Sequence, residues 1–398
     1  MHRIYLDHSA TTQVRPEVAK IVMEHMTEKF GNPSSVHSFG RESKKSLEKA
    51  RKQVADFINA QPEEIIFTSG GTEADNMAII GAAFRYSGKG KHVITSAVEH
   101  HAVLHACEHL EKIGFEVTVL PVDEYGIISM DDLRGAIRED TVLITIMHAN
   151  NEVGSIQPIE EIGHLAREKG ILFHTDAVQS LSKIPIDVQA MNIDLLTGSG
   201  HKIYGPKGVG FLYIRKGVQL APLAFGGAQE SKKRPGTENL PGIVGLGLAV
   251  ELAGEEMEEE MARLTILRDK LIKGLQEKIP NVKLNGHPTL RVPTNVNVSI
   301  EFVEGESLLL SLDMKGIAAS SGSACTSGSL DPSHVLLAMG MCHELAHGSV
   351  RMTLGRENTE SDIDYVLEVF PEIVQRLRDM SPLYYQSRKE CGECIRTK

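Results

Sequence analysis

The chain has 398 residues, a formal net charge of -11 at pH 7 and a pI near 5.9. Its 41% hydrophobic and 24% charged residues are ordinary for a globular protein, and the length predicts one large and one smaller domain. The acidic balance argues against a general nucleic-acid-binding surface.

Hydropathy and cysteine usage indicate the compartment. There is no run of about 18 apolar residues and no basic, hydrophobic leader before the first predicted strand at Ile4, so we expect neither a membrane span nor export. Five cysteines are too few and too irregular for a disulfide framework and suit a reducing compartment. They are Cys107, Cys325, Cys342, Cys391 and Cys394. We therefore expect a cytoplasmic protein.

Short apolar runs alternate with helical patterns through the first half of the chain. Predicted strands cover residues 64–68, 92–95, 116–120, 141–147 and 171–176. Predicted helices cover residues 41–58, 73–83, 102–113 and 159–169. This alternation predicts an α/β fold with a mainly parallel sheet, whose ligands bind beyond the carboxyl ends of the strands.

A glycine turn lies between the first of these strands and the helix that we expect to open at Glu73. Free backbone N–H groups and the helix dipole favour a phosphate there, at Gly71 and Thr72. Glycine turns before helices are common, so this signal is weak by itself.

The second half of the chain predicts a long helix over residues 240–278, followed by strands 296–300 and 349–353 with helices around them. We expect a large domain at residues 15–255. Residues 1–14 and 256–398 are expected to form a smaller α+β domain.

Lys202 lies in a glycine-rich connection between two predicted strands. A lysine in a partly dry loop deprotonates more easily and can attack a carbonyl to form a Schiff base, with Ser199 and His201 beside it as natural phosphate ligands. On this stretch alone, a surface loop lysine is the alternative.

A buried strand ends at Asp176, upstream of that lysine. Pyridoxal phosphate chemistry needs a lysine for the aldehyde and an acid that keeps the pyridine nitrogen protonated. Asp176 and Lys202 can supply both, which favours a pyridoxal phosphate site.

Cys325 lies in the segment Ser320-Ser-Gly-Ser-Ala-Cys-Thr-Ser-Gly328, which is poor in large apolar groups. A thiol there can be exposed and reactive, although free cysteines are usually buried as small hydrophobes. The tail thiols Cys391 and Cys394 could bind metal only with ligands from elsewhere, and we predict no metal site.

These motifs resemble the cysteine desulfurases of the NifS/IscS type, which have the class V aminotransferase fold. The resemblance runs from Tyr5-Leu-Asp-His-Ser-Ala-Thr-Thr12 to about Pro382. Arg234-Pro-Gly-Thr-Glu-Asn239 and Met380-Ser-Pro-Leu-Tyr384 look closer to the NifS branch, whereas Ala228 replaces a glycine common in the family. The resemblance implies a pyridoxal phosphate transferase of fold type I that forms a homodimer.

The resemblance also implies roles for individual residues. Lys202 and the thiolate of Cys325 would be catalytic, and His100 would stack on the cofactor ring and transfer protons. The implied cofactor contacts are Gly71, Thr72, His100, Asn151, Asp176, Gln179, Ser199, His201, Lys202 and, from the second subunit, Thr237. Asn151 and Arg351 would contact the substrate carboxylate. From the residues alone, His100 also suits a structural histidine and Arg351 a structural ion pair.

The implied activity converts L-cysteine to L-alanine with a persulfide on Cys325. The sulfur would pass to an iron–sulfur scaffold protein of the NifU/IscU type. A selenocysteine lyase or another class V enzyme such as an aminotransferase is the alternative, but transamination needs no thiol. A non-catalytic sulfur carrier would not need Lys202, Asp176 and His100 together.

Overall fold

The computed structural model describes residues 3–321, 332–382 and 384. In these residues the strands are β1 Ile4–Tyr5, β2 Ile65–Thr68, β3 His92–Ser96, β4 Glu116–Leu120, β5 Thr141–Thr145, β6 Leu172–Asp176, β7 Leu195–Ser199, β8 Gly210–Ile214, β9 Val282–Leu284, β10 Asn295–Ile300, β11 Ile317–Ala318 and β12 Ser349–Thr353.

The α-helices of the described residues surround these strands. They are α1 Pro16–Thr27, α2 Ser38–Phe57, α3 Gly71–Tyr86, α4 His101–Lys112, α5 Met130–Ala136, α6 Ile159–Lys169, α7 Leu240–Lys278, α8 Gly305–Met314, α9 His334–Ala338, α10 His343–His347 and α11 Glu360–Asp379. The long helix α7 has the predicted bounds.

Seven strands form the central sheet in the order β2-β8-β7-β6-β5-β3-β4. The five strands from β7 to β4 are parallel, and β8 runs antiparallel to both of its neighbours. The predicted α/β class with a mainly parallel sheet is therefore confirmed. Because the parallel strands share a direction, the segments that follow β3, β5, β6 and β7 meet at one edge.

Separate apolar cores pack around two sheets. One core of the large sheet lies against α2, α6 and the first third of α7, and a second core packs α3 and α4 on that sheet. A third core combines β10, β12, α11 and residues 264–275 of α7 with Ile4 and Leu6 from the start of the chain. Helix α7 thus contributes one end to each of two cores.

Helix α3 begins at Gly71, two residues before the expected start at Glu73. The N–H groups of a first helical turn have no acceptor within the helix. The earlier start therefore places Gly71 and Thr72 inside that turn, where they favour an anion more directly than the sequence prediction assumed.

Among the described helices, none is both long enough and apolar enough to cross a membrane.

Candidate active site

A cavity of about 330 Å³ opens at the carboxyl edge of the large sheet. It collects almost all of the predicted site residues. Its lining includes Gly71, Thr72, His100, Asn151, Asp176, Gln179, Ser199, His201, Lys202 and Arg351. Ser9, Ala10, Asp75, Met147 and Val178 complete it. The volume is within the range of small-molecule sites.

Lys202 ends the 3-10 turn Gly200–Lys202 that follows β7. Its Nζ donates to the backbone carbonyls of Ser9 at 2.5 Å and Ala10 at 2.8 Å. These carbonyls belong to the opening segment of the chain, so the N-terminus positions the lysine. Within β7, just before this turn, Gly198 is required because a Cβ there would lie 2.2 Å from the Phe211 ring of β8.

Asp176 lies at the end of β6 and is buried, with Oδ1 accepting a hydrogen bond from the Val178 N–H at 2.9 Å. Burial raises the pKa of this carboxyl, and the nearby Lys202 ammonium opposes that shift. A carboxyl in this position can share a proton with a basic nitrogen that enters the cavity.

Asp75 is a second buried carboxyl in the cavity, and the sequence reasoning missed it. It is 1% exposed, and its Oδ1 has no hydrogen-bond partner among the described residues. Burial raises the pKa of Asp75 well above its usual range, and the charge of Asp176 adds to the effect. The available signal was a charged residue beside Ala74 on the buried face of α3.

His100 is the N-cap of α4, and its Nδ1 accepts the Ala102 N–H at 3.2 Å. In the neutral ring this bond assigns the proton to Nε2. Burial, followed by the positive charge of Lys202, lowers the pKa of His100 to about 4. The neighbouring Glu99 carboxyl accepts the Met147 N–H at 2.9 Å, which ties the loop after β3 to the loop after β5.

The start of α3 lies close to the segment after β6 and to the end of β7. A Cβ at Gly71 would lie 2.9 Å from a methyl group of Val178 and 3.9 Å from Cβ of Ser199. His201 lines the same cavity and contacts Thr11 Oγ1 through Nδ1 at 3.2 Å. Burial and adjacent lysines lower the pKa of His201 to about 4. Neutral donors and a helix N-terminus suit a phosphate.

Gln179 joins the cavity wall to the opening segment. Its Nε2 donates to the Ser9 carbonyl at 2.9 Å, and its Oε1 accepts from Lys183 Nζ at 3.0 Å. Lys183 is buried and was not singled out in the sequence.

Arg351 reaches the cavity from β12 and is 2% exposed. Its Nη2 forms an ion pair with Asp7 Oδ1 at 3.0 Å, and its Nη1 donates to the Asn151 carbonyl at 3.0 Å. Burial raises the pKa of Asp7, and the ion pair opposes that shift. The guanidinium therefore already has a carboxylate partner, and a role in substrate binding stays a prediction.

Thr237 and Cys325 are the two predicted site residues not yet accounted for. Thr237 is exposed and does not line the cavity of its own chain. Cys325, Cys391 and Cys394 lie outside the described residues.

Described residues on both sides of segment 322–331 contact the cavity wall. Ser320 pairs with Arg351 through two backbone hydrogen bonds, of 2.7 and 3.1 Å. On the other side, His334 Nε2 lies 3.0 Å from the Glu99 carbonyl, directly before His100.

Comparison with known proteins places this geometry in a family. The family model for class V aminotransferases matches residues 4–366. The chain belongs to the class V aminotransferase family, whose members depend on pyridoxal phosphate.

Relatives and solved structures agree with this assignment. The chain is 62% identical to a cysteine desulfurase IscS of Methanosarcina thermophila over 96% of this chain and 94% of the relative. A solved NifS-like protein superposes with a TM-score of 0.89 at 38% identity, covering 94% of this chain and all of the other. A structure of SspA in complex with cysteine has a TM-score of 0.79 at 40% identity, with coverage of 88% and 98%.

The residues present fit pyridoxal phosphate. Lys202 offers an amine to the aldehyde, Asp176 a buried acid to the pyridine nitrogen, and the start of α3 a site for the phosphate. Asp75 Oδ1 is buried near His174 Nε2, at 3.7 Å, and has no hydrogen-bond partner among the described residues.

Proposed function

We propose that this chain is a pyridoxal phosphate-dependent cysteine desulfurase that converts L-cysteine to L-alanine and keeps the sulfur as a persulfide on Cys325. One observation carries the proposal. A single cavity combines Lys202, Asp176 and His100, and described residues flanking the segment that contains Cys325 are bonded to its wall.

The bound cofactor supplies an aldehyde for the substrate amine and a conjugated ring that accepts electrons from a bond broken at the substrate carbon. Its proposed contacts are Gly71, Thr72, Ser199 and His201 toward the phosphate, Asp176 toward the ring nitrogen, Gln179 toward the ring oxygen, and His100 beside the ring. Thr237 of a second copy of the chain would complete the phosphate site, which implies a homodimer.

Proton transfer and charge stabilisation in the reaction would depend on Lys202, His100 and Asp176. The Lys202 amine takes the α-proton of the substrate, and the two carbonyls around Nζ stabilise the ammonium that forms. Neutral His100 carries its proton on Nε2 and can donate a hydrogen bond from that atom. Asp176, at the end of β6, is buried and would hold a negative charge in the cavity away from water.

Arg351 and Asn151 would bind the carboxylate of L-cysteine. A guanidinium can hold a carboxylate through two parallel hydrogen bonds. Since Asp7 holds Arg351 in this structure, the substrate carboxylate would share or replace that contact.

Sulfur transfer would require the thiolate of Cys325, because the thiolate is the nucleophilic form. It attacks the sulfur of the substrate, the S–S bond forms and the substrate C–S bond breaks. The carbon that loses sulfur gains a proton, so the products are alanine and a persulfide.

The remaining predictions concern organisation and partners. The proposed domain division, residues 15–255 against 1–14 with 256–398, is supported by the two sets of buried residues on α7 and by Ile4 and Leu6 in the third core. A cytoplasmic location, an iron–sulfur scaffold of the NifU/IscU type as sulfur acceptor, and a closer relation to the NifS branch stay predictions.

A single-turnover assay tests the proposal. Cofactor-loaded protein is mixed with L-cysteine without an acceptor, alanine is measured, and persulfide is mapped by mass spectrometry. We expect about one alanine per active site and a persulfide on Cys325, both lost in Cys325→Ala. Cys342→Ala, which removes an exposed thiol elsewhere, should behave as wild type. Undiminished alanine release by Cys325→Ala would favour a lyase route instead.

A further inference from the structure

Lys183 is a buried lysine that none of the steps above uses. It is 7% exposed, and its Nζ donates to Gln179 Oε1 at 3.0 Å. Burying an amine costs free energy, and this one hydrogen bond to Gln179 offsets part of that cost. A buried lysine with such a partner is therefore a candidate for a role at the site. Lys183 lies four residues after Gln179 in the turn that follows β6, and Gln179 lines the cavity whereas Lys183 does not.

The contacts of Gln179 fix the direction of its amide. A glutamine amide has one accepting oxygen and two N–H donors. Here the oxygen faces the Lys183 amine and the nitrogen faces the Ser9 carbonyl at 2.9 Å. A flipped amide would set its oxygen against the Ser9 carbonyl oxygen, which is repulsive, and would lose the hydrogen bond that Lys183 donates to the amide oxygen. The second N–H is the polar group left for the cavity.

The Ser9 carbonyl links this arrangement to the catalytic lysine. The same oxygen accepts from Lys202 Nζ at 2.5 Å, so hydrogen bonds run from Lys183 through Gln179 and Ser9 to Lys202. Burial, followed by the charges of Lys202 and Arg351, lowers the pKa of Lys183 to about 7. His8 is a further titratable group that faces Lys183. Because a neutral amine still donates, the bond to Gln179 survives deprotonation.

We propose that Lys183 is a positioning residue that acts through Gln179: it holds the amide so that an N–H, and never the carbonyl oxygen, faces the ring oxygen of the cofactor. This inference rests on the proposed function and deepens it. A donor at that position stabilises the anionic form of the ring oxygen. Removing Lys183 loosens the donor and makes the anion less favourable.

The test measures the visible absorption of cofactor-loaded protein as a function of pH, in wild type, Lys183→Met, Gln179→Leu and the double variant. Methionine keeps most of the lysine volume without the donor. We expect Lys183→Met to raise the pH midpoint of the cofactor's absorption change by about 0.5 unit, which corresponds to about a threefold change in the proton equilibrium of the ring oxygen. In the Gln179→Leu background the same change should add less than about 0.2 unit, since interacting residues are not additive.

Lys278→Met is the matched control. Lys278 is an exposed lysine at the end of α7 whose Nζ also makes a hydrogen bond, to the Leu367 carbonyl at 3.0 Å, and it does not line the cavity. It should leave the midpoint unchanged. If Lys183→Met does not fold, Lys183→Gln is titrated in both backgrounds with the same expectation.

The outcomes separate this inference from the proposed function. An equal shift in both backgrounds would mean that Lys183 acts through its charge alone, and the absence of a shift would mean that it does not position Gln179. Either result overturns the inference while wild type still releases alanine from L-cysteine. A wild-type protein that binds no cofactor would overturn the proposed function, and this inference with it.

Discussion

Two sides of the cavity are held in different ways: the floor, formed at the carboxyl edge of the large sheet around Asp176, and the wall at Arg351 on β12. On the floor, Asp176 and Glu99 accept backbone N–H groups from segments at the edge of the large sheet. On the wall, Arg351 is held by the Asp7 carboxylate and the Asn151 carbonyl, which come from two distant segments. The floor contacts persist whatever enters the cavity, whereas a second carboxylate can compete for the wall contact. We therefore expect floor residues to govern turnover and wall residues to govern substrate affinity.

The largest expected effect is at Lys202, which joins the floor to the opening segment. Lys202→Ala should lower single-turnover alanine release by about 10²- to 10⁴-fold or more, because it removes the amine that moves the α-proton. Lys207→Ala, at an exposed lysine in the same loop, should retain wild-type release. Equal losses in the two variants would show that the loop, and not the Lys202 amine, is responsible.

Asp176→Asn sharpens the floor side of the comparison. The amide keeps the shape but cannot hold a negative charge beside a protonated ring nitrogen, so kcat should fall by about 10²-fold or more with little change in KM. Steady-state kinetics with L-cysteine measure both constants. A rise in KM at unchanged kcat would contradict the division between floor and wall.

Arg351→Lys tests the wall. Lysine keeps the charge but loses the planar pair of donors, so KM for L-cysteine should rise about tenfold or more while kcat changes less. Asp7→Asn, which weakens the competing ion pair, should leave KM equal or lower. If Asp7→Asn instead raised KM as much as Arg351→Lys, the ion pair would be structural and not a competitor.

The smallest expected effect is that of His100 titration on the pH dependence of kcat/KM. With a pKa of about 4, His100 is already neutral at pH 6, so its titration should leave kcat/KM unchanged from pH 6 to 8. We expect an acid limb in that range to come from the Cys325 thiol, because the thiolate is the nucleophile and the unperturbed pKa of a cysteine is about 8.5. The pH profile of His100→Asn should therefore keep the wild-type shape at a lower amplitude. A limb that disappears in this variant would assign the titration to His100.

Much of the floor could be predicted from the sequence because each residue follows a strand. The alternating pattern predicts the sheet, and parallel strands bring their carboxyl ends together, so the sequence predicts Asp176, Lys202 and His100 at the one edge where the structure has them. The phosphate site at α3 followed from the glycine turn.

The remaining contacts depend on long-range packing that no local pattern encodes. The ion pair between Asp7 and Arg351 joins residues 344 positions apart, and Lys202 meets Ser9 across 193 positions. Asp75 and Lys183 are ionisable residues whose burial is set by the assembled sheet, and hydropathy alone places such residues at the surface.

The central claim is that Lys202 is the lysine that bonds the cofactor. Two lysines have their amines near this cavity: Lys202 bonds to the Ser9 carbonyl, and Lys183 bonds to Gln179. Which of the two bonds the cofactor can be tested directly. The purified protein is loaded with pyridoxal phosphate, reduced with borohydride to fix the cofactor to its lysine, digested and mapped by mass spectrometry. We predict the modification on Lys202 in wild type and in Lys183→Met. A modification on Lys183, or none in wild type, would contradict the account.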